Sequence, residues 1–210
     1  MKYNYIAIEG NIGVGKTTLA NKLAQNINAR LILERFEDNS FLPRFYEDPK
    51  NYAFPLEMSF LADRYQQVKD QLAHGDLFSS NIVADYIIDK SRIFASINLP
   101  KDELLLFNKL CDIIYPTILK PDLIVYLHLS VDDLIEKIRE RGRSYELNIK
   151  ASYLEKIQNR YFDYFRKSSN LRIVIADITN KDLLNNENDF QIFLEMIAKE
   201  YPKKLIIARL

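Results

Sequence analysis

The sequence predicts an α/β fold in which a five-stranded parallel sheet carries helices on both faces. Two observations support this prediction. Five short apolar runs have the length and composition of buried strands, and segments with apolar residues at helical spacing separate them. A chain of 210 residues is long enough for one domain with a full core, so we expect a single domain over residues 1–210. The predicted strands are residues 3–8, 30–33, 81–84, 123–129 and 172–176.

The first predicted strand leads into a glycine-rich loop. Three of the five glycines of the chain lie in Gly10-Asn11-Ile12-Gly13-Val14-Gly15-Lys16-Thr17, which Thr18 follows. The segment fits the phosphate-binding pattern G-x-x-x-x-G-K-[ST], in which backbone N–H groups surround a phosphate, the lysine reaches the β- and γ-phosphates and the threonine hydroxyl binds Mg²⁺. Apolar residues at helical spacing after Thr17 place a helix N-terminus behind the loop. The sequence therefore predicts a nucleoside triphosphate site in a P-loop NTPase-like, three-layer fold.

A carboxylate follows the second predicted strand. Glu34 lies at the carboxyl end of residues 30–33, the edge at which open parallel sheets bind ligands. A carboxylate in that place can take a proton from a hydroxyl nucleophile. A solvated glutamate at a strand end is the alternative, and position alone does not separate the two interpretations.

Aromatic and charged residues alternate over residues 45–65, which come after this strand. A plain amphipathic helix does not require such a mixture. A planar substrate binds well between aromatic faces and polar edges, so this segment is a candidate substrate site.

Start and stop signals place the later elements. Pro100 favours a helix start, and Ser130 is a predicted N-cap. The polar residues 180–188 predict a loop, and the apolar residues 205–208 fit either a strand or a docked tail. The predicted helices are residues 101–119, a helix that begins at Val131, and residues 151–165.

Three arginines lie at alternate positions near the end of the helix that begins at Val131. Arg139, Arg141 and Arg143 cannot all face one side of a continuous helix, and Gly142 indicates that the helix ends among them. Guanidinium groups on a lid over residues 141–150 could neutralise charge on a phosphoryl group in transfer. A solvated, charged helix end is the alternative.

Composition excludes several classes of function. Lys+Arg and Asp+Glu both number 29, so no general attraction to nucleic acid or anionic membranes is expected. The first strand begins so early that no signal peptide is expected, and no apolar run is long enough to span a membrane. The only cysteine, Cys111, is predicted to lie in the core, and His74 and His128 are too far apart in sequence to suggest a zinc site. We therefore expect a cytoplasmic enzyme.

The combined motifs resemble the deoxyribonucleoside kinase family, which includes deoxycytidine, deoxyguanosine and deoxyadenosine kinases. The resemblance extends over nearly the whole chain. It is carried by the glycine-rich loop with its Gly-Asn-Ile-Gly core, Glu34, Phe45-Tyr46-Glu47-x-Pro49 leading to Phe54, Arg64, Arg141-Gly142-Arg143 and Tyr153-Leu154-Glu155-Lys156.

The resemblance implies a role for each matching residue. Glu34 would be the base on the 5′-hydroxyl of the sugar, Tyr46 and Glu146 would hold the 3′-hydroxyl, and Arg64 would lie near the nucleobase. Arg141 and Arg143 would form the lid over the phosphates, and Lys137 corresponds to a family arginine that flanks the base of ATP. The family fold is a five-stranded parallel sheet, usually in a homodimer.

Two positions depart from the family pattern. Glu57 stands where the family has a glutamine that pairs with the nucleobase, and an ionised glutamate only accepts hydrogen bonds. We therefore expect bases that carry an amino group to be preferred over thymine, with Arg64 able to pair with Glu57 and orient it. Asp85 retains the acid that helps to hold Mg²⁺, but the arginine that follows it in the family is absent, and Lys90 or Arg92 is a candidate replacement.

The sequence thus predicts a kinase that uses ATP and Mg²⁺ to phosphorylate the 5′-hydroxyl of a deoxyribonucleoside in nucleotide salvage. One alternative is a kinase of the same fold that acts on another acceptor, such as a nucleoside monophosphate. Another is a non-catalytic nucleotide-binding subunit, which the missing arginine favours and the retained Lys16, Thr17 and Glu34 oppose.

Overall fold

The computed structural model describes residues 2–36, 39–73 and 81–210. His74 lies outside these ranges. Across the helices of the described residues, none combines the length and the apolar character that crossing a membrane requires.

The described part of the chain forms one sheet of six parallel strands in the order β2-β3-β1-β4-β5-β6. Each of the five predicted strands overlaps an observed one, and the prediction of a parallel sheet with helices on both faces is confirmed. The predicted number of five strands is wrong. The strands are β1 (Tyr5–Gly10), β2 (Arg30–Ile32), β3 (Ile82–Ala84), β4 (Leu123–His128), β5 (Ile173–Asp177) and β6 (Leu205–Arg209).

The sixth strand is an edge strand near the end of the chain. It pairs with β5 in parallel register, from Leu205 opposite Ile173 to Arg209 opposite Asp177. Its side chains are only partly covered, and that of Ile207 is 71% exposed. An edge strand of this kind lacks the continuous burial that marks the central strands, so its sequence alone did not separate a strand from a docked tail.

Eight helices occur in the described residues. Ser130 caps α6 as predicted, because its Oγ accepts a hydrogen bond from the backbone N–H of Asp133 at 3.1 Å. The helices are α1 (Lys16–Asn26), α2 (Phe41–Glu47), α3 (Pro49–Ala73), α4 (Lys90–Asn98), α5 (Lys101–Ile114), α6 (Val131–Arg141), α7 (Ala151–Lys167) and α8 (Glu187–Ala198).

Two predicted boundaries need correction. The helix predicted to reach residue 119 ends at Ile114, because Pro116 has no N–H to continue the helical ladder and the chain passes into a 3₁₀ turn. The loop predicted over residues 180–188 ends earlier. Asn186 caps α8 by accepting hydrogen bonds from the backbone N–H groups of Asn188 and Asp189, so the helix begins at Glu187.

Alternate side chains of β1 enter opposite layers of the core. Ile6 and Ile8 pack with residues of α1, α6 and α8, whereas Ala7 packs with residues of α4 and α7. Cys111 is fully buried, as predicted, in a third cluster between α3, α4 and α5. With both faces covered, the carboxyl edge of the sheet is the part of this layered structure available for a site.

Candidate active site

A cavity of about 1340 Å³ opens at the carboxyl ends of β1, β2 and β3. The loop after β1 forms one wall, and residues of α2, α3, α4 and α6 form the others. The cavity brings together predicted site residues that are far apart in the sequence. Those that line it are Ile12, Gly13, Val14, Gly15, Lys16, Thr17, Thr18, Glu34, Tyr46, Glu57, Arg64, Asp85, Lys137, Arg141, Arg143 and Glu146.

The glycine-rich loop is shaped by contacts beneath it. Gly10 and Asn11 support the loop without lining the cavity. The Asn11 side chain donates to the carbonyl of Leu154 at 2.8 Å and accepts from the N–H of Ile12 at 2.8 Å. Gly13 has a φ of 86°, and a Cβ there would lie 2.6 Å from Cγ1 of Ile138. The loop can therefore pass close to α6 only because this position is glycine.

Lys16 lies across the loop. Its Nζ donates to the carbonyl oxygens of Gly10 at 3.0 Å and Asn11 at 2.9 Å. Burial, with the positive charge of Lys90, lowers the pKa of Lys16 to about 8. An anion bound in the loop would raise that pKa again, because an opposite charge favours the ammonium form.

Thr17 and Asp85 meet at the base of the cavity. The Thr17 hydroxyl donates to Oδ2 of Asp85 at 2.5 Å, and Oδ1 of Asp85 accepts from the backbone N–H of Glu34 at 2.7 Å. No group of three or more His, Cys, Asp or Glu side chains suited to a metal ion occurs in the described ranges. A hydroxyl and a carboxylate at this spacing fit Mg²⁺, which takes few protein ligands and completes its shell with phosphate oxygens and water.

Glu34 is held between two cations. Arg64 from α3 bonds to Oε1, and Lys90 from α4 bonds to Oε2. Burial opposes the ionisation of Glu34, but the charges and hydrogen bonds of Lys90 and Arg64 outweigh it and lower the pKa of the carboxyl to about 2. Of the two candidate replacements for the missing arginine, Lys90 contacts Glu34 and Arg92 does not. Arg92 pairs with Asp112 on α5.

The arginine segment folds back onto Glu146. Gly142 ends α6 in the left-handed conformation with a φ of 72°, as the sequence predicts. The following residues place Glu146, which is 4% exposed, in an ion pair with Arg141 and 3.5 Å from Nη1 of Arg143. Tyr46 lies beside this group and stacks on Tyr145 with ring centroids 5.8 Å apart. Burial raises the pKa of Tyr46 well above its usual range, so its hydroxyl stays protonated.

Glu57 has a partner that the sequence did not predict. Its Oε1 accepts from Nδ2 of Asn98 at 2.8 Å, and Oδ1 of Asn98 accepts from the Tyr153 hydroxyl at 3.0 Å. Arg64, which could have paired with Glu57, bonds instead to Glu34 and to Ser91. Burial raises the pKa of Glu57 to about 7, so the neutral acid has to be considered beside the ionised side chain.

Sequence reasoning missed Glu9, a buried carboxylate at the end of β1. Its oxygens accept from the N–H of Gly10 at 3.2 Å, the N–H of Ile87 at 2.8 Å and the Tyr161 hydroxyl at 2.8 Å. Burial raises the pKa of Glu9 above its usual range, while Lys90 favours the charged form. A glutamate inside an otherwise apolar strand, directly before the loop, was the available signal.

Comparisons with known proteins agree with this geometry. The family model "Deoxynucleoside kinase" matches residues 6–201. A deoxyguanosine kinase from Bacillus subtilis (strain 168) is 37% identical over 191 residues, covering 89% of this chain and 92% of the relative. A deoxyadenosine/deoxycytidine kinase from the same organism is 29% identical over 206 residues, with coverage of 94% and 93%. The structure of a deoxyadenosine kinase from M. mycoides with bound dATP superposes with a TM-score of 0.79 at 22% identity, covering 92% of this chain and 99% of that one.

Proposed function

Since this chain belongs to the deoxynucleoside kinase family, we propose that it transfers the γ-phosphoryl group of ATP to the 5′-hydroxyl of a deoxyribonucleoside. Phosphorylation of deoxynucleosides, a salvage reaction, is the activity of the family. The proposed chemistry rests on one observation: the phosphate-binding loop and the ionised Glu34 line the same cavity. Neither the nucleoside monophosphate acceptor nor the non-catalytic subunit is favoured.

The proposed mechanism begins with the phosphates in the loop. Backbone N–H groups of the loop and the Lys16 ammonium bind the phosphate oxygens. Thr17 and Asp85 would hold Mg²⁺, which neutralises charge on the β- and γ-phosphates when it is bound. Arg141 and Arg143, on a lid over residues 141–150, add positive charge around the phosphoryl group in transfer.

Glu34 orients the attacking hydroxyl and receives its proton. A carboxylate has about four acceptor sites, so Glu34 can bind the 5′-hydroxyl while it keeps Arg64 and Lys90. The 5′-oxygen forms a bond to the γ-phosphorus, the bond from that phosphorus to the bridging oxygen of ADP breaks, and the hydroxyl proton passes to Glu34. With a pKa of about 2, Glu34 is a weak base, and this fits a loose transition state in which the proton moves late.

The sugar site is proposed beside the lid arginines. By resemblance, Tyr46 and Glu146 bind the 3′-hydroxyl, and the ion pairs of Glu146 with Arg141 and Arg143 would couple sugar binding to lid position. Lys137 lines the donor end of the cavity and flanks the ATP base in this proposal.

The decisive experiment incubates the protein with ATP labelled in the γ-phosphate, Mg²⁺ and a panel of nucleosides and nucleoside monophosphates. We expect labelled 5′-monophosphates from deoxynucleosides, and no product from the folded Lys16→Ala variant because its phosphate site lacks the ammonium. Phosphorylation of monophosphates alone would contradict the proposed acceptor. Phosphorylation of no acceptor would contradict the enzyme assignment.

A homodimer in the cytoplasm is part of the proposal. Helix α5 turns Phe107 and Cys111 inward but leaves Leu105, Leu106 and Ile113 exposed by 54%, 51% and 72%. Large apolar side chains grouped on one helix face favour burial against a second copy. Light scattering should give the dimer mass for the native chain and the monomer mass for Ile113→Glu. A native monomer would contradict this part of the proposal.

A further inference from the structure

Glu57 lies in the cavity with one of its two oxygens already bound. Asn98 donates to Oε1, and the Tyr153 hydroxyl bonds to Oδ1 of Asn98, which fixes the amide with its N–H group towards Glu57. Glu57 is 2% exposed and lines the cavity. Oε2 receives no hydrogen bond from any described residue, so it is the oxygen available to a ligand.

The charges around Glu57 do not fix its protonation state. Arg64 on the same helix and Lys90 on α4 favour the carboxylate, whereas Glu34 after β2 opposes it. Both cations bond directly to Glu34, so neither neutralises Glu57 by contact. Tyr153 on α7 is itself held protonated, because burial and the charge of Glu57 raise its pKa. Burial of Glu57 therefore dominates, and its pKa of about 7 places both protonation states near neutrality.

The two states of a carboxyl group suit different nucleobase edges. A carboxylate offers acceptors only, whereas the neutral acid offers one donor beside one acceptor. Guanine presents two adjacent donors, the N1–H and the 2-amino group. They match a carboxylate, in which Oε2 is open and Oε1 can accept a second hydrogen bond beside the one from Asn98. Adenine and cytosine present an amino donor beside a ring nitrogen acceptor, and that nitrogen would face a carboxylate oxygen with repulsion.

We propose, on the basis of the proposed function, that Glu57 selects the nucleobase through its own protonation state. The carboxylate selects deoxyguanosine, and the neutral acid selects deoxyadenosine and deoxycytidine instead. Binding of deoxyguanosine then releases the Glu57 proton to solvent, and binding of deoxyadenosine takes a proton up. Asn98 and Tyr153 are positioning residues that stabilise the carboxylate. This narrows the expectation from the sequence, in which any amino-bearing base suited Glu57.

The test compares two substrates on the same enzyme, so that every ionisation common to both reactions cancels. The ratio of kcat/KM for deoxyguanosine to that for deoxyadenosine should rise about 100-fold between about pH 6 and about pH 8, because the two substrates use opposite protonation states of Glu57. The ratio should not change with pH in Glu57→Gln, whose amide offers a fixed donor and acceptor. Deoxyinosine lacks only the 2-amino group of deoxyguanosine, and its disadvantage should widen with pH in the native enzyme alone.

Binding without ATP supplies a readout independent of turnover. Calorimetry at about pH 7, in two buffers with different protonation enthalpies, should show deoxyguanosine releasing about half a proton from the native enzyme and none from Glu57→Gln. Tyr153→Phe frees the Asn98 amide, so the pH dependence of the ratio should shift towards higher pH because the carboxylate loses support.

The outcomes separate this inference from the function on which it rests. A native ratio that is flat or falls with pH, or a rise of equal size in Glu57→Gln, would overturn the role of Glu57 and leave the kinase intact. Failure to phosphorylate any deoxynucleoside at any pH would overturn the proposed function instead.

Discussion

Glu34 is a buried carboxylate that the protein keeps ionised. It achieves this with two cations from different helices, Arg64 and Lys90, because either charge offsets part of the cost of removing the carboxylate from water. Such a pair also limits the movement of the side chain. Both effects fit the proposed role of Glu34 in orienting the 5′-hydroxyl.

Replacing Glu34 by glutamine tests its part in the reaction. Glu34→Gln keeps the size of the side chain but cannot take the proton, so we expect kcat to fall by roughly 10²–10⁴-fold with little change in ATP affinity. Steady-state kinetics with ATP varied at saturating deoxynucleoside would measure both. A change in KM alone would make Glu34 a binding residue.

The lowered pKa of Glu34 predicts the pH dependence of the reaction. A group with a depressed pKa loses its charge only as the pH falls through that value, so the native enzyme should show no acidic limb from Glu34 above about pH 4. Lys90→Met leaves Arg64 as the remaining cation at Glu34. We expect kcat to fall about 10²-fold and the acidic limb to move to higher pH. Lys90→Arg keeps a cation at this position and should retain the native kcat and the native pH profile. Equal activity in the Met and Arg variants would show that the charge of Lys90 is not used.

Much of the site could be predicted because its residues carry sequence patterns. The loop, Glu34 and the lid arginines each stand at a fixed place relative to a strand or a helix end. The partner of Glu57 could not be predicted in this way. Asn98 is the last residue of α4, 41 positions away, and only the packing of α4 on α3 brings the two together.

At the scale of the element, helix ends were predictable where capping chemistry marks them. As expected, α6 begins after Ser130 and ends before Gly142. The end of α5 was placed too late because Pro116 lies in a stretch whose composition predicted a continuing helix. The start of α8 was placed too late because Asn186 lies in a polar stretch that predicted a loop. Local chemistry at one residue decided each boundary.

Gly142 offers a test of the link between α6 and the proposed lid. Its φ of 72° strains any side chain, although a Cβ there would meet only the carbonyl of Arg139 at 4.0 Å. We expect Gly142→Ala to lower the free energy of unfolding by about 1 kcal/mol, and Gly142→Asn by less, because asparagine tolerates the left-handed conformation. Urea unfolding would give both values. Equal stability of the three proteins would show that the backbone at residue 142 can adopt another conformation without cost.

At the scale of the whole molecule, the carboxyl edge of the sheet contains buried charge that the core does not require. Glu9, Glu34 and Glu57 all lie there with few exposed atoms, and their pKa values are shifted in different directions. The central strands β1, β3, β4 and β5 were predictable because burial on both faces gives them nearly continuous apolar sequences. The protonation states of these glutamates could not be predicted from sequence. They depend on the positions of Arg64 and Lys90, which come from other segments of the chain.

Glu57 should therefore make the whole protein less stable as the pH rises. Its pKa is raised in the folded state, so the folded protein binds more protons than the unfolded chain between about pH 4 and about pH 7, and the free energy of unfolding falls across that range. The loss approaches about 3 kcal/mol by about pH 8, because the pKa rises from its ordinary value of 4.5 to about 7 on folding.

Glu57→Gln removes this ionisation and can keep the hydrogen bond from Asn98 through its amide oxygen. The variant should match the native protein near pH 4 and exceed its stability by up to about 3 kcal/mol near pH 8. Urea unfolding of both proteins across this range gives the difference, in which the titrations of all other groups cancel. A difference that stays constant with pH would mean that Glu57 titrates alike in the folded and unfolded states, and burial would then not be what sets its protonation.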